Sequence, residues 1–115
     1  MKNVSLFPHQ TLTAYTTSKE LARRVVAAKI GNANLRDQAE RAASSAFLQI
    51  AEGLPNDSRP MRRRYFVGAR NSLFELVAAI DLASEIGALP IAEREAMMQL
   101  AGKLRALLIG LLRTA

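Results

Sequence analysis

The 115-residue chain has no cysteine and no tryptophan, one histidine, four prolines and six glycines. Without cysteine there is no disulfide framework, no thiolate nucleophile and no cysteine metal site. The single histidine, His9, lies in the opening segment MKNVSLFPHQ, and no H-x-x-x-H or E-x-x-H spacing occurs. A ferritin-like di-metal site needs carboxylates and histidines facing inward on several helices. That chemistry is excluded, and neither metal nor cofactor is expected. No glycine-rich loop stands between a strand and a helix, so there is no nucleotide cradle. Ser44, Ser45 and Ser72 have no histidine or lysine base at a motif spacing and read as helix-packing serines. No catalytic residue is expected, and the chain does not read as an enzyme. The N-terminal segment lacks the sustained apolar stretch of a secretory signal. The longest uninterrupted apolar run, near Ala106 to Leu112, is too short to span a bilayer. A cytoplasmic protein is expected.

Half of the residues are apolar, chiefly alanine and leucine, with only four phenylalanines and two tyrosines among them. Strong helix formers run throughout, and no stretch alternates β-branched with polar residues, so an all-α protein is predicted. The length fits one domain with a core of its own. Sixteen basic residues face ten acidic ones, a net charge of +6, and arginine outnumbers lysine twelve to four. Such a balance favours nucleic acid or another anionic surface. Arginine adds bidentate contacts to phosphate or carboxylate that lysine cannot copy.

Punctuation divides the chain into an arm and four helices. Residues 1–11 carry Pro8 and no periodicity and read as a loose arm, with the bundle in 12–115. The first helix is predicted over Leu12 to Ile30, with an alternative start near Ser18 because Thr17 and Glu20 match a capping box. Its apolar face is Leu21, Ala22, Val25 and Val26. Gly31 and Asn32 should end it, and Asn34 should cap the second helix with Asp37 in its first turn. The second helix runs to about Leu54 with Leu35, Ala39, Ala42, Ala43, Ala46, Phe47 and Ile50 inward. Gly53 marks its stop. Asp57 or Ser58 caps the third helix, and Pro60 sits harmlessly in its first turn. Gly87 stops it near Ile86, and Pro90 opens the fourth helix. There Met97, Leu100, Ala101, Leu104, Leu107, Leu108 and Leu111 form one stripe. Helices of about 20–28 residues span on the order of 30–40 Å. Linkers of a few residues make sequential helices antiparallel neighbours, which gives an up-down-up-down four-helix bundle.

The third helix carries two features of its own. Phe66, Leu73, Val77, Ile80 and Ser84 fall on one line, and Tyr65, Ala69, Ser72, Leu76 and Ala83 on another a quarter turn away. Together they cover more than one face of a simple bundle consumes. Either this helix is the most central or the surplus marks self-association. On the fourth helix Met98, Ile109 and Leu112 also lie off the main stripe, near Arg94 and Arg105. The second feature is the run of Arg59, Arg62, Arg63 and Arg64 at the helix start, with Arg70 two turns on. The macrodipole makes arginines unfavourable at a helix N-terminus. They are either a solvated basic end or an anion site, and nucleic-acid phosphate is the leading ligand. Arg70 lies within the apolar sector, so it should be less exposed than Arg62 to Arg64 and should pair with Glu52 or Glu75.

Four stretches taken together carry a resemblance: RDQAERAASSAFLQIAEG, RRYFVGARNSLFELVAAIDLA, the break at IGALP, and the terminal LRALLIGLLRTA. Their order and spacing over residues 12–114 resemble the four-helix bundle protein family first noticed in intervening sequences of bacterial 23S ribosomal RNA. Ile50, Ala51, Glu52 and Gly53 are similar to the family's Asn-Ile-Ala-Glu-Gly pattern, with Gln49 in place of the asparagine. Phe47 stands where a small residue or proline is common. Ala69, Arg70, Ser72, Leu73 and Glu75 resemble a second family pattern. The resemblance implies an antiparallel left-handed bundle and similarity to ring-forming proteins that assemble as pentamers. It also implies a structural polar cluster of Gln49, Glu52, Arg70 and Glu75, no established catalytic residue, and rRNA or other nucleic acid as partner.

The leading function is therefore a non-enzymatic, oligomeric nucleic-acid-binding protein, with Arg59, Arg62, Arg63, Arg64 and Arg70 as candidate contacts. The rival is a protein-interaction scaffold whose basic surface binds an acidic partner. A membrane-surface helix fits poorly, because the apolar faces are needed within the bundle. No small-molecule substrate is evident.

Overall fold

A computed structural model describes Phe7 and residues 12–115; the predicted loose arm otherwise lies outside the described residues. Four helices follow one another, α1 (Thr13–Ala28), α2 (Ala33–Gly53), α3 (Arg59–Glu85) and α4 (Ile91–Thr114), with no strand among the described residues. Packing joins α1 to α2, α2 to α3, α3 to α4 and α4 back to α1, which is consistent with the up-down-up-down order. The chain is all-α.

Two sets of contacts fix how neighbours run. Between α3 and α4, Arg63 reaches Leu112 while Asp81 reaches Arg94. As one residue number rises the other falls by the same amount, so the helices are antiparallel. Between α2 and α3, Ser45 meets Ser72 and Gln49 sits against Gly68, again antiparallel. Both lines of apolar residues on α3 are consumed by these neighbours: Phe66, Leu73 and Ile80 on one, Ala69, Leu76 and Ala83 on the other are all buried. The helix is central, and its breadth of apolar surface is accounted for inside the chain. What remains exposed lies on its other side, at Phe74, Leu82 and Ile86.

The helix ends correct several expectations. α1 starts at Thr13 without a side-chain cap, because its N-cap residue is Leu12; Thr17 and Ser18 are buried inside the helix, so the alternative start near Ser18 does not occur. It ends at Ala28, and Lys29 takes the left-handed conformation at φ 49° in place of a glycine. Val26 is exposed, one residue off the buried Leu21–Val25 line. Gly31 lies past the helix end, and its N–H donates to the Ala88 carbonyl at 2.8 Å, tying the α1–α2 turn to the α3–α4 turn. α2 is capped by Asn32 rather than Asn34, because the short turn from α1 sets Asn32 Oδ1 on the Leu35 N–H at 2.9 Å. Asp37 lies beyond the first turn and pairs with Arg41. Ser58 caps α3 through the Met61 N–H. Gly87, at φ 77°, closes α3 with a Schellman pair, Gly87 N–H to Ser84 and Ala88 N–H to Ala83.

Gly53 is the last residue of α2, but not by a left-handed turn. A Cβ there would stand 2.7 Å from the Phe66 ring, so glycine is what allows α2 to reach the start of α3. On α4 the predicted stripe holds. Met97, Ala101, Leu104 and Leu108 are buried, with Leu100, Leu107 and Leu111 half-buried against them.

Candidate nucleic-acid interface

The antiparallel order brings the N-terminus of α3 beside the C-termini of α2 and α4. Helix C-termini expose carbonyl oxygens with no intrahelical donor and carry partial negative charge. The arginines answer that need. Arg62 Nη1 donates to the Leu54 carbonyl, at the C-cap of α2, over 2.7 Å, and its guanidinium lies 5.4 Å from the Phe66 ring centre. Arg63 Nη1 donates to the Leu112 carbonyl in the last turn of α4 at 3.2 Å. Two of the five candidates therefore clamp neighbouring helix ends. A basic run that is unfavourable for α3 alone is favourable for three helix ends meeting together.

Arg59 and Arg64 are exposed and stand in no hydrogen bond or ion pair with the described residues. No acidic residue occupies the first turn of α3. Arg70 is half-buried, less exposed than Arg63 and Arg64 but in the same class as Arg62. Its expected pairing with Glu52 or Glu75 is not formed. The ion pairs among the described residues are Arg24–Glu93, Arg41–Asp37, Arg94–Asp81 and Arg94–Glu95. Glu52 and Glu75 are both exposed, and Glu75 projects from a different side of α3 than Arg70.

The α3–α4 register places Arg105 across from Arg70, a neighbour the sequence did not single out as a contact. Between them and the next turn lies an apolar trough lined by Leu73, Phe74, Val77, Met98, Ala101, Gly102 and Arg105. Further along the same edge the charge is neutralised. Arg94 donates to Asp81 at 2.6 and 3.0 Å, and this hydrogen bonding, then the carboxylate's charge, raises the Arg94 pKa further. Positive potential is thus concentrated toward the start of α3 and the end of α4.

The predicted polar cluster takes a different form. Gln49 Nε2 donates to Ser45 Oγ at 3.0 Å and to Ser72 Oγ at 3.2 Å, and the two hydroxyls are 2.9 Å apart. Glu52, Arg70 and Glu75 are not part of it. Ser45 and Ser72 are helix-packing groups, as expected, whereas Ser44 is exposed, and Gly68 leaves the space that Gln49 occupies: a Cβ there would overlap Gln49 Oε1. Phe47 is half-buried with its ring edge against Tyr15, the centroids 5.0 Å apart. Its bulk is absorbed on the α1 side of α2, away from the Gln49 seam. Among the described residues no helix is long and apolar enough to cross a membrane.

The family model described as 23S rRNA-intervening sequence protein matches residues 10–110. No curated protein matches the chain.

Proposed function

The chain belongs to the 23S rRNA-intervening sequence protein family, and from that premise we propose a non-enzymatic, cytoplasmic, oligomeric RNA-binding protein. The observation that carries this reading is the pair of exposed arginines, Arg59 and Arg64, left without carboxylates on a platform that Arg62 and Arg63 lock in place. Arg70 and Arg105 extend the same basic edge. The positive end of the α3 macrodipole adds to these charges, so a phosphate chain meets several reinforcing sources of potential. Contacts of this kind read the backbone rather than the base sequence. Association of several +6 subunits multiplies the potential and steepens the salt dependence. Exposed Phe74, Leu82 and Ile86 support self-association, and the pentamer is taken from the family resemblance.

The test is RNA binding by fluorescence anisotropy over a salt series, comparing the parent with an Arg59→Gln/Arg64→Gln variant. These two positions leave the clamps at Leu54 and Leu112 intact. Each lost phosphate contact is expected to lower the log–log salt slope by about 0.7–0.9. An unchanged affinity and slope would overturn the reading. A parent that fails to bind RNA at physiological salt, while binding an acidic protein, would establish the scaffold role instead.

A further inference from the structure

The trough between α3 and α4 has a buried floor, Leu73 and Ala101, and walls of Phe74, Val77 and Met98. It encloses about 230 Å³ and is open because Ala101 and Gly102 offer almost no side chain there. A Cβ added at Gly102 would meet nothing within 4 Å. One helical turn from this hole, both walls turn basic: Ala101 is followed by Arg105, and Phe74 is preceded by Arg70. The helix register sets the two positions opposite each other, and neither arginine is in an ion pair with the described residues.

The outer face of α2 carries the opposite pattern. Leu48 is 57% exposed, and one turn further Glu52 is exposed and in no ion pair among the described residues. An apolar knob and a negative charge are thus one turn apart, about 6 Å. That is the spacing of the hole and the positive charges on α3 and α4. We infer that the α2 face of a second copy docks in this trough, Leu48 seated on Ala101 and Gly102, Glu52 between Arg70 and Arg105. The incoming α2 runs parallel to α4, which carries residues 48 to 52 in the same direction as 101 to 105. The pairing of Arg70 with Glu52 that the sequence suggests is then made between chains.

Charge and chemistry favour a second copy over the other occupants of such a trough. Arg105 is the one polar side chain lining it, so the edge of a nucleic-acid base would lose its hydrogen bonds there without replacement. Knob and hole lie on different flanks of one chain. The contact is heterologous, and repeated copies close into a ring or extend as a filament. This contact rests on the self-association in the proposed function; it takes Arg70 and Arg105 from the RNA-facing edge and leaves Arg59 and Arg64, the pair that carries the RNA reading, uncovered.

Leu48→Asp removes the knob, and Gly102→Phe fills the hole at a position with open space around it. Sedimentation velocity of each variant, with circular dichroism to confirm the fold, is expected to return the 12.6 kDa monomer at concentrations where the parent is assembled. Mixed in equal amounts, the two variants should form a dimer and stop. One intact knob meets one intact hole, and the remaining faces are both disabled. Folded variants that assemble like the parent, or a mixture that stays monomeric, would overturn this interface while the parent's assembly still supports self-association. A parent that is monomeric throughout the micromolar range would overturn both. Weaker RNA binding by Gly102→Phe on a monomeric parent would assign the trough to nucleic acid instead.

Discussion

Gly68→Ala should change sign with its background. A methyl group at Gly68 would overlap Gln49 Oε1 and lie 2.7 Å from its Cδ, so the amide must swing out of the α2–α3 seam. Two hydrogen bonds from Nε2, to Ser45 and Ser72, go with it, while the bond between the hydroxyls survives. At a net ~1 kcal/mol for each such bond, the loss is about 2 kcal/mol. Replacing glycine by alanine inside a helix returns about 1 kcal/mol of propensity. The net expectation in the parent is destabilisation of about 1 kcal/mol, a fall of roughly 4 °C in Tm for a domain of this size. In a Gln49→Ala background nothing stands in the way of the methyl group. There the same substitution should stabilise by about 1 kcal/mol. Urea unfolding of the four proteins at one fixed protein concentration gives the cycle, the fixed concentration being needed because assembly shifts apparent stability. The expected coupling is about 2 kcal/mol, and a cycle additive to within about 0.5 kcal/mol would refute the steric argument.

Two further outcomes follow from the helix ends. Arg62→Gln should cost about 1–2 kcal/mol, because it removes a charged donor from the Leu54 carbonyl. Arg59→Gln and Arg64→Gln should each stay within about 0.5 kcal/mol of the parent, and denaturant midpoints that rank these three alike would contradict the division of roles. Lys29→Gly should stabilise by about 0.5 kcal/mol, since φ 49° is a conformation in which a Cβ is crowded; a lowered Tm would show that the lysine side chain contributes more than its backbone strain.

The helices and their order were legible in the sequence because their signals are local. Pro60, Gly87 and Pro90 act through their own backbone geometry, and the α4 stripe needs only the helical period. Features that depend on which elements lie side by side were not legible. Asn32 and Asn34 are equally good caps by residue type, and which one serves is decided by the path of the short turn from α1, which sets Asn32 Oδ1 on the Leu35 N–H. Gly53 resembles a stop signal, yet it is required by its neighbour on the next helix, Phe66. The arginine cluster could be located from sequence. That Arg62 and Arg63 are engaged by Leu54 and Leu112 could not, because the acceptors belong to the ends of two other helices. Arg70 misled for a related reason. Its place in an apolar sector argued for an internal carboxylate, but the residue is only half-buried and forms no ion pair with the described residues, so the desolvation that would demand a partner is incomplete.

The hydrogen bond from Gly31 to Ala88 has a mechanical consequence. It joins the two turns at one end of the bundle, and the Arg24–Glu93 pair lies close by, so the α1–α2 and α3–α4 hairpins are pinned together there. At the opposite end a short connection and the Arg62–Leu54 bond join α2 to α3, and the Arg63–Leu112 bond joins α3 to α4. The bundle is therefore cross-tied at both ends, and neighbouring helices can part locally only after one of these ties is broken. The arginine platform sits at the end held by Arg62 and Arg63. An anion taken up by Arg59 and Arg64 would meet helix ends that are already ordered, so little conformational entropy is left to lose on binding.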